Sequence, residues 1–264
     1  MDLQLSGKRA LVTGSTLGIG FAIALELARE GASVVINGRS VEGVEAAVRR
    51  LGELVGGAVV GGVAADLSTA AGVQQLIEIY PAVDIVVNNL GIFDPKPFED
   101  IADGEWQRFF ETNVMSGVRV SRHYLPLMKA ANWGRIVFIS SESGVNPPAE
   151  MVHYGMTKAA QLSISRGMAQ TCAGTGVTVN AVLPGPTRSE GVAEFFGKLA
   201  TGQGISLQDA EQRFFAEARP TSLLKRFIDP AEVAALVAYV CSPRASATNG
   251  AALRVEGGII SSMC

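Results

Sequence analysis

Seven short runs of β-branched and aliphatic residues punctuate the chain at 9–12, 33–36, 58–64, 85–87, 136–139, 177–182 and 252–255. Between them lie segments with apolar residues at helical spacing, near 19–30, 41–54, 69–79, 104–130, 154–172 and 231–241. That alternation constrains the fold more than any other feature, because parallel strands can neighbour each other only through a crossover, for which a helix is the compact solution. VVIN, DIVVN, RIVFIS and VTVNAVL each hold a continuous apolar run, as strands covered on both faces should. The reading is therefore α/β, a doubly wound parallel sheet of about seven strands with helices on both faces. No repeat or linker divides the 264 residues, so one domain over 1–264 is expected. The stretch 186–227, between the sixth and seventh strands, carries helical patches of its own and reads as a small lid.

Composition narrows the function classes. Hydrophobic residues make up 48% and charged residues 18%, against about 25% charged in an average soluble domain, which excludes a disordered chain. A net charge of −3, with 22 Lys and Arg that do not cluster, argues against nucleic acid as a partner. No apolar stretch approaches the roughly 20 residues of a membrane span, and the first ten residues lack a signal-peptide core, so a cytoplasmic protein without membrane contact is expected. Cys172, Cys241 and Cys264 are odd in number and form no CxxC, which suggests apolar filler and neither a disulfide framework nor a metal site.

Two short motifs carry chemistry. After the first apolar run comes Thr13-Gly14-Ser15-Thr16-Leu17-Gly18-Ile19-Gly20, leading into an apolar helix. Glycines let a backbone approach a pyrophosphate, and the helix N-terminus offers free N–H groups and partial positive charge, so a dinucleotide site is indicated; a bland strand-turn-helix junction is the alternative. Tyr154-Gly-Met-Thr-Lys158 places a phenol and an ammonium on one helix face. The ammonium there is expected to lower the phenol pKa and make Tyr154 a general acid/base. Thirteen residues earlier, Ser141 ends the RIVFIS run, where open parallel sheets place their ligands.

Taken together, TGSTLGIG, Asp66 in ADLS, Asn88-Asn89-Leu90-Gly91, Asn113 in ETNV, Ser141, YGMTK and Asn180-Ala-Val-Leu-Pro184-Gly185 resemble, in order and approximate spacing, the short-chain dehydrogenase/reductase family in its compact Rossmann-type form. The resemblance covers essentially the whole chain. It implies a catalytic set of Asn113, Ser141, Tyr154 and Lys158: Tyr154 exchanging the proton, Ser141 bonding the substrate oxygen, Lys158 holding the nicotinamide ribose, and Asn113 supporting a water-linked proton path behind Lys158. Ser140 is the alternative serine. It also implies cofactor contacts from Gly14, Ser15, Thr16, Leu17, Gly18, Ile19, Gly20, Leu67, Asn89, Gly91, Pro184, Gly185 and Thr187, and an adenine contact from Asp66.

The end of the second strand reads Asn37-Gly38-Arg39-Ser40, with Gly38 where NAD-preferring members carry Asp. With Arg39 and Ser40 available to a 2′-phosphate, NADP(H) is expected over NAD(H). The reading that results is an oxidoreductase interconverting a small or medium apolar ketone and a secondary alcohol. A 3-oxoacyl-carrier-protein reductase is the alternative, disfavoured because Ala131-Asn132-Trp133 and Ala173-Gly174-Thr175 stand where such reductases present basic residues to an acidic carrier. A non-catalytic NADP-binding sensor or scaffold is a second alternative, and the intact catalytic set speaks against it. Glu142 reads equally as a pocket residue or a solvated loop carboxylate. Phe195, Phe196, Phe214 and Phe215 either cover substrate or pack lid helices. His123 reads as a packed or surface residue, and His153 as projecting away from Tyr154. A homotetramer is expected, paired through the helices near 104–130 and 154–172.

Overall fold

The computed structural model describes residues 2–263, apart from the side chain of Phe195; Met1 and Cys264 lie outside the described residues. Strands β1 (Arg9–Val12), β2 (Ser33–Gly38), β3 (Val60–Ala64), β4 (Ile85–Asn88), β5 (Gly134–Ile139), β6 (Val177–Pro184) and β7 (Ala252–Val255) form one parallel sheet in the order β3-β2-β1-β4-β5-β6-β7. The winding reverses between β1 and β4, which opens a crevice beyond their carboxyl ends.

Successive strand side chains point to opposite faces, so each central strand supplies both cores. On one face Val12, Ile36, Val87 and Val137 pack against α1 (Gly18–Arg29), α2 (Val41–Leu54) and α9 (Pro230–Cys241). On the other, Leu11, Val35, Val86 and Phe138 pack against α3 (Ala70–Ile79), α5 (Ser116–Ala130) and α6 (Val152–Thr171). Coverage on both sides is what the continuous apolar runs require. Cys172 and Cys241 are buried filler within these layers.

Several boundaries differ from expectation: β5 begins two residues earlier, at Gly134, and β6 runs two further, to Pro184. β2 runs on to Gly38 because Asn37 and Gly38 pair with Val63 and Ala64. β3 starts at Val60, since the Ala58 N–H donates to Val55 O at 3.1 Å and closes the turn after α2 instead. The helix expected over 104–130 is α4 (Asp103–Phe110) followed by a π-helical turn, Glu111–Met115, and then α5. Such a turn inserts one residue into the helical repeat and re-aims the side chains and carbonyls around it; Asn113 sits at its centre.

Between β6 and α9, the chain forms α7 (Glu190–Gln203) and α8 (Leu207–Glu217), each capped by a serine, Ser189 and Ser206. They share a small core of Phe196, Ala200, Ala210, Phe215 and Phe227, apart from the two sheet layers. Among the described residues no helix is long and apolar enough to cross a membrane.

Candidate active site

A cavity of about 690 Å³ opens at the carboxyl ends of β1, β4, β5 and β6, with α7 and α8 as its roof. Of the expected residues, Leu17, Gly18, Ile19, Gly20, Asn89, Gly91, Ser141, Tyr154, Lys158, Pro184, Gly185 and Thr187 line it.

The glycine-rich turn forms its floor. Gly14 and Gly18 take φ of +59° and +60°, the left-handed region that side chains strain to enter. A Cβ on Gly20 would lie 2.5 Å from both Asn89 Nδ2 and Gly14 O. That leaves bare backbone at the start of α1, a cradle of the kind a pyrophosphate needs, and the residues fit a dinucleotide. The site's preference for anions is visible in the protein itself, for the Gly18 N–H donates to Glu190 Oε2 on α7 at 2.8 Å. A carboxylate from the lid occupies the helix N-terminus.

The side chains of several expected cofactor residues also have partners within the protein. Ser15 is fully buried; its Oγ donates to Val12 O at 2.7 Å and accepts from Asn37 N at 3.0 Å, so it ties β1 to β2 and does not face the cavity. The Leu67 side chain belongs to the core under α3. Asp66 Oδ1 accepts from the Ser68 N–H and hydroxyl at 3.0 and 2.7 Å, the local polar turn that was the alternative to an adenine contact. Thr16 packs over Gly38, where a Cβ would meet its methyl at 2.5 Å. Ser40 accepts from Gly43 N as the cap of α2, and Arg39 is exposed beside it.

At the other end of the cavity, β5 delivers Ser140 and Ser141 in opposite directions. Ser140 Oγ donates to Lys158 O at 2.8 Å, turned back into α6, while Ser141 faces the cavity beside Tyr154. Lys158 Nζ lies 5.4 Å from the Tyr154 ring centre and donates to Ile139 O at 2.9 Å. Burial lowers the Lys158 pKa to about 8, the nearby Glu142 opposing the shift. Tyr154 does not follow the expected direction: burial first, and then the Glu142 carboxylate, push its pKa above the ordinary phenol value. The ammonium is turned to the Ile139 carbonyl, which leaves desolvation in control of the phenol.

Asn113 is buried in the π turn, its Oδ1 accepting from Ile92 N at 2.8 Å and its Nδ2 donating to Ile92 O and Thr157 Oγ1, both at 3.0 Å. Gln161 Nε2 donates to Asn113 O at 2.6 Å, and Gln161 Oε1 accepts from Lys158 Nζ at 3.4 Å, so a side-chain amide bridges the two groups. One turn beyond Lys158 on the same helix face, Gln161 was detectable by spacing alone, though its partner was not.

Of the two readings of Glu142, the structure shows the pocket residue. It is buried, accepts a hydrogen bond from Ser141 Oγ, and meets Arg219 Nε at 3.5 Å. Arg219, just past α8, also donates to Glu150 Oε1 at 3.0 Å. The phenylalanines serve both roles: Phe196 and Phe215 are in the lid core, and Phe196, Phe214 and Phe227 also line the cavity. His153 points away from the cavity and packs on Phe109 and Trp106 at 4.0 and 5.9 Å, and burial lowers its pKa. His123 bonds Pro81 O at 2.9 Å.

Comparison with known proteins places this site in context. A family model described as short chain dehydrogenase matches residues 8–199. The uncharacterized oxidoreductase YvaG of Bacillus subtilis (strain 168) is 51% identical, covering 100% of both chains. The 3-oxoacyl-(acyl-carrier-protein) reductase FabG of Aquifex aeolicus is 32% identical, covering 98% of this chain and 100% of that one. L-sorbose reductase from Gluconobacter frateurii, solved with NADPH and L-sorbose, superposes with a TM-score of 0.94 at 33% identity over 100% of both chains.

Proposed function

The chain belongs to the short-chain dehydrogenase family, and on that premise we propose that it is an NADP(H)-dependent oxidoreductase interconverting a small or medium ketone and its secondary alcohol. The observation that carries the reading is the convergence of Ser141, Tyr154 and Lys158 on the cavity whose far end is the glycine-rich cradle. When bound, the reduced nicotinamide supplies a hydride. The cradle of Gly14, Gly18 and Gly20 would hold the phosphates, and Lys158 the nicotinamide ribose. Arg39, past β2, would hold a 2′-phosphate, with the neighbouring Ser40 hydroxyl able to donate while it caps α2, and the end of β2 carries no carboxylate to repel it.

Tyr154 donates its proton to the substrate oxygen as the carbonyl carbon is reduced and recovers it when the alcohol is oxidised. The phenol is protonated at neutral pH, as a donor must be, although burial makes it a weaker acid than a free phenol. Ser141 orients the same oxygen. Phe196, Phe214, Phe227 and Leu199 give the remainder of the cavity an apolar lining that fits the carbon body of the substrate and excludes water.

Delivery by a carrier protein is disfavoured by more than the missing basic patch. Lys129 donates to Thr171 O at 2.7 Å. Arg135 is buried, donating to Ser242 O, Gly134 O and Gly176 O, so it offers no charge to an acidic partner. The test follows NADPH absorbance across a ketone panel that includes a 3-oxoacyl thioester on carrier protein, for wild type and Tyr154→Phe. Tyr154→Phe is expected to bind NADPH normally while kcat falls by several orders of magnitude. Retention of more than about a tenth of wild-type turnover would remove Tyr154 from its role. A roughly hundredfold advantage for the carrier-bound thioester would replace the small ketone.

A further inference from the structure

The chemistry above makes no use of Glu142, yet its carboxylate lies in the wall of the cavity against the serine that must bond the substrate. Ser141 has one proton to give. That proton goes to Glu142, while Ser141 Oγ also accepts from Ser143 N at 3.1 Å. To polarise a substrate carbonyl, Ser141 must turn its hydrogen from the carboxylate to the incoming oxygen. Glu142 then loses a charge-assisted hydrogen bond at a position in the cavity wall where Ser141, Glu142 and Ser143 are all largely buried. Arg219 forms its ion pair with the carboxylate oxygen that Ser141 does not serve. Its Nη1 is held by Glu150 Oε1 and Ala218 O, and its Nε stands 3.5 Å from the other Glu142 oxygen.

A simple ketone brings only an acceptor, so it leaves the carboxylate short of a donor. A ketone with a hydroxyl on the adjacent carbon brings both groups at neighbouring positions. Its carbonyl takes the Ser141 hydrogen, and its hydroxyl donates to Glu142 in exchange. Resting on the ketone reading above, we infer that Glu142 is a specificity-determining residue and that the preferred pair is an α-hydroxyketone and its vicinal diol, the rest of the substrate lying against the apolar roof. In the reducing direction the carbonyl carbon gains the hydride and its oxygen gains the Tyr154 proton. The neighbouring hydroxyl stays intact and only exchanges hydrogen-bond partners.

The experiment compares 3-hydroxy-2-butanone, 3-methoxy-2-butanone and 2-butanone as substrates of wild type, Glu142→Gln and Glu142→Leu with NADPH. The methoxy compound keeps the inductive pull of oxygen on the carbonyl but cannot donate, so it isolates the hydrogen bond. In wild type the hydroxyketone is expected to exceed the methoxyketone in kcat/KM by about tenfold or more. Glu142→Gln, which still offers an amide oxygen, keeps part of that ratio, and Glu142→Leu brings it to within about threefold of unity. As a second readout, butane-2,3-diol raises the Tm of the NADP-loaded wild type more than 3-methoxy-2-butanol does, whereas the two alcohols raise the Tm of NADP-loaded Glu142→Leu alike. This readout and the melting temperatures of the variants separate lost recognition from lost folding. Equal ratios in wild type, or a preference that survives in Glu142→Leu, overturn the role of Glu142 while leaving the ketone reading intact. Binding of NADPH with no turnover of any of the three ketones, and no stabilisation by the diol, overturns both.

Discussion

Lys158 is the residue on which stability and chemistry pull hardest against each other. Its ordinary pKa of 10.5 falls to about 8 in the fold because burial penalises the ammonium. Between those values the unfolded chain carries a proton that the folded chain has released, so stability rises with pH through that window. Below about 8 the full penalty remains, roughly 3 kcal/mol for a shift of this size. Lys158→Met is accordingly expected to melt above the wild type at pH 7 by a margin that narrows toward pH 10. Scanning calorimetry at both values checks it, and a margin independent of pH would contradict the account. At the other end of the cavity, Arg39→Ala is expected to raise the NADPH Kd by about tenfold or more and leave NADH unaffected, as the loss of a charge-assisted pair requires. Equal effects on the two cofactors would remove Arg39 from the phosphate site. The spacing of Tyr154 and Lys158, the turn after β1 and the end of β5 were legible in the sequence because helix and strand periodicity decide which face each residue shares. The partners of Ser15, Gln161 and Glu142 were not, because Asn37, Asn113 and Arg219 reach them from distant segments.

At the scale of elements, α7 is tied to α1 through Glu190, whose carboxylate rests on the Gly18 N–H where a cofactor phosphate would have to sit. Glu190→Gln removes a competing charge, so its NADPH Kd is expected to fall by about two- to fivefold, the usual worth of a charge at a helix end. Fluorescence titration measures this directly, and an unchanged or weaker affinity would show that the carboxylate does not compete. The sequence disclosed the lid as an interval with helical patches, but it could not show where those helices dock. The π turn was equally hidden. Residues 104–130 keep an apolar pattern that a single helix satisfies, and one extra residue per turn leaves no mark on composition. Only the placement of Asn113, bonded to Ile92 on one side and Thr157 on the other, reveals it.

For the molecule as a whole, the low charged fraction leaves apolar side chains on the outside. Phe98, Phe110 and Leu127, on and around α4 and α5, are among them, with Phe110 and Leu127 41% and 43% exposed. These are the helices through which family members were expected to pair, and a homotetramer remains our proposal. Light scattering at micromolar concentration is expected to give a mass near four times 27.6 kDa, and Phe110→Glu with Leu127→Glu to give a smaller particle; a monomeric wild type would refute it. The sheet order, with β4 central and β7 at one edge, joins distant parts of the chain in a single core. On one face of the sheet, Phe21, Ile23 and Leu27 of α1 pack in the same cluster as Val233, Val237 and Cys241 of α9. For a protein made from its N-terminus, this becomes a matter of time. At about 5–20 residues per second, translation leaves the apolar face of the first helix waiting roughly 10–40 s for its partner. During that interval the nascent chain presents a greasy surface that only a chaperone or the ribosome itself can shelter.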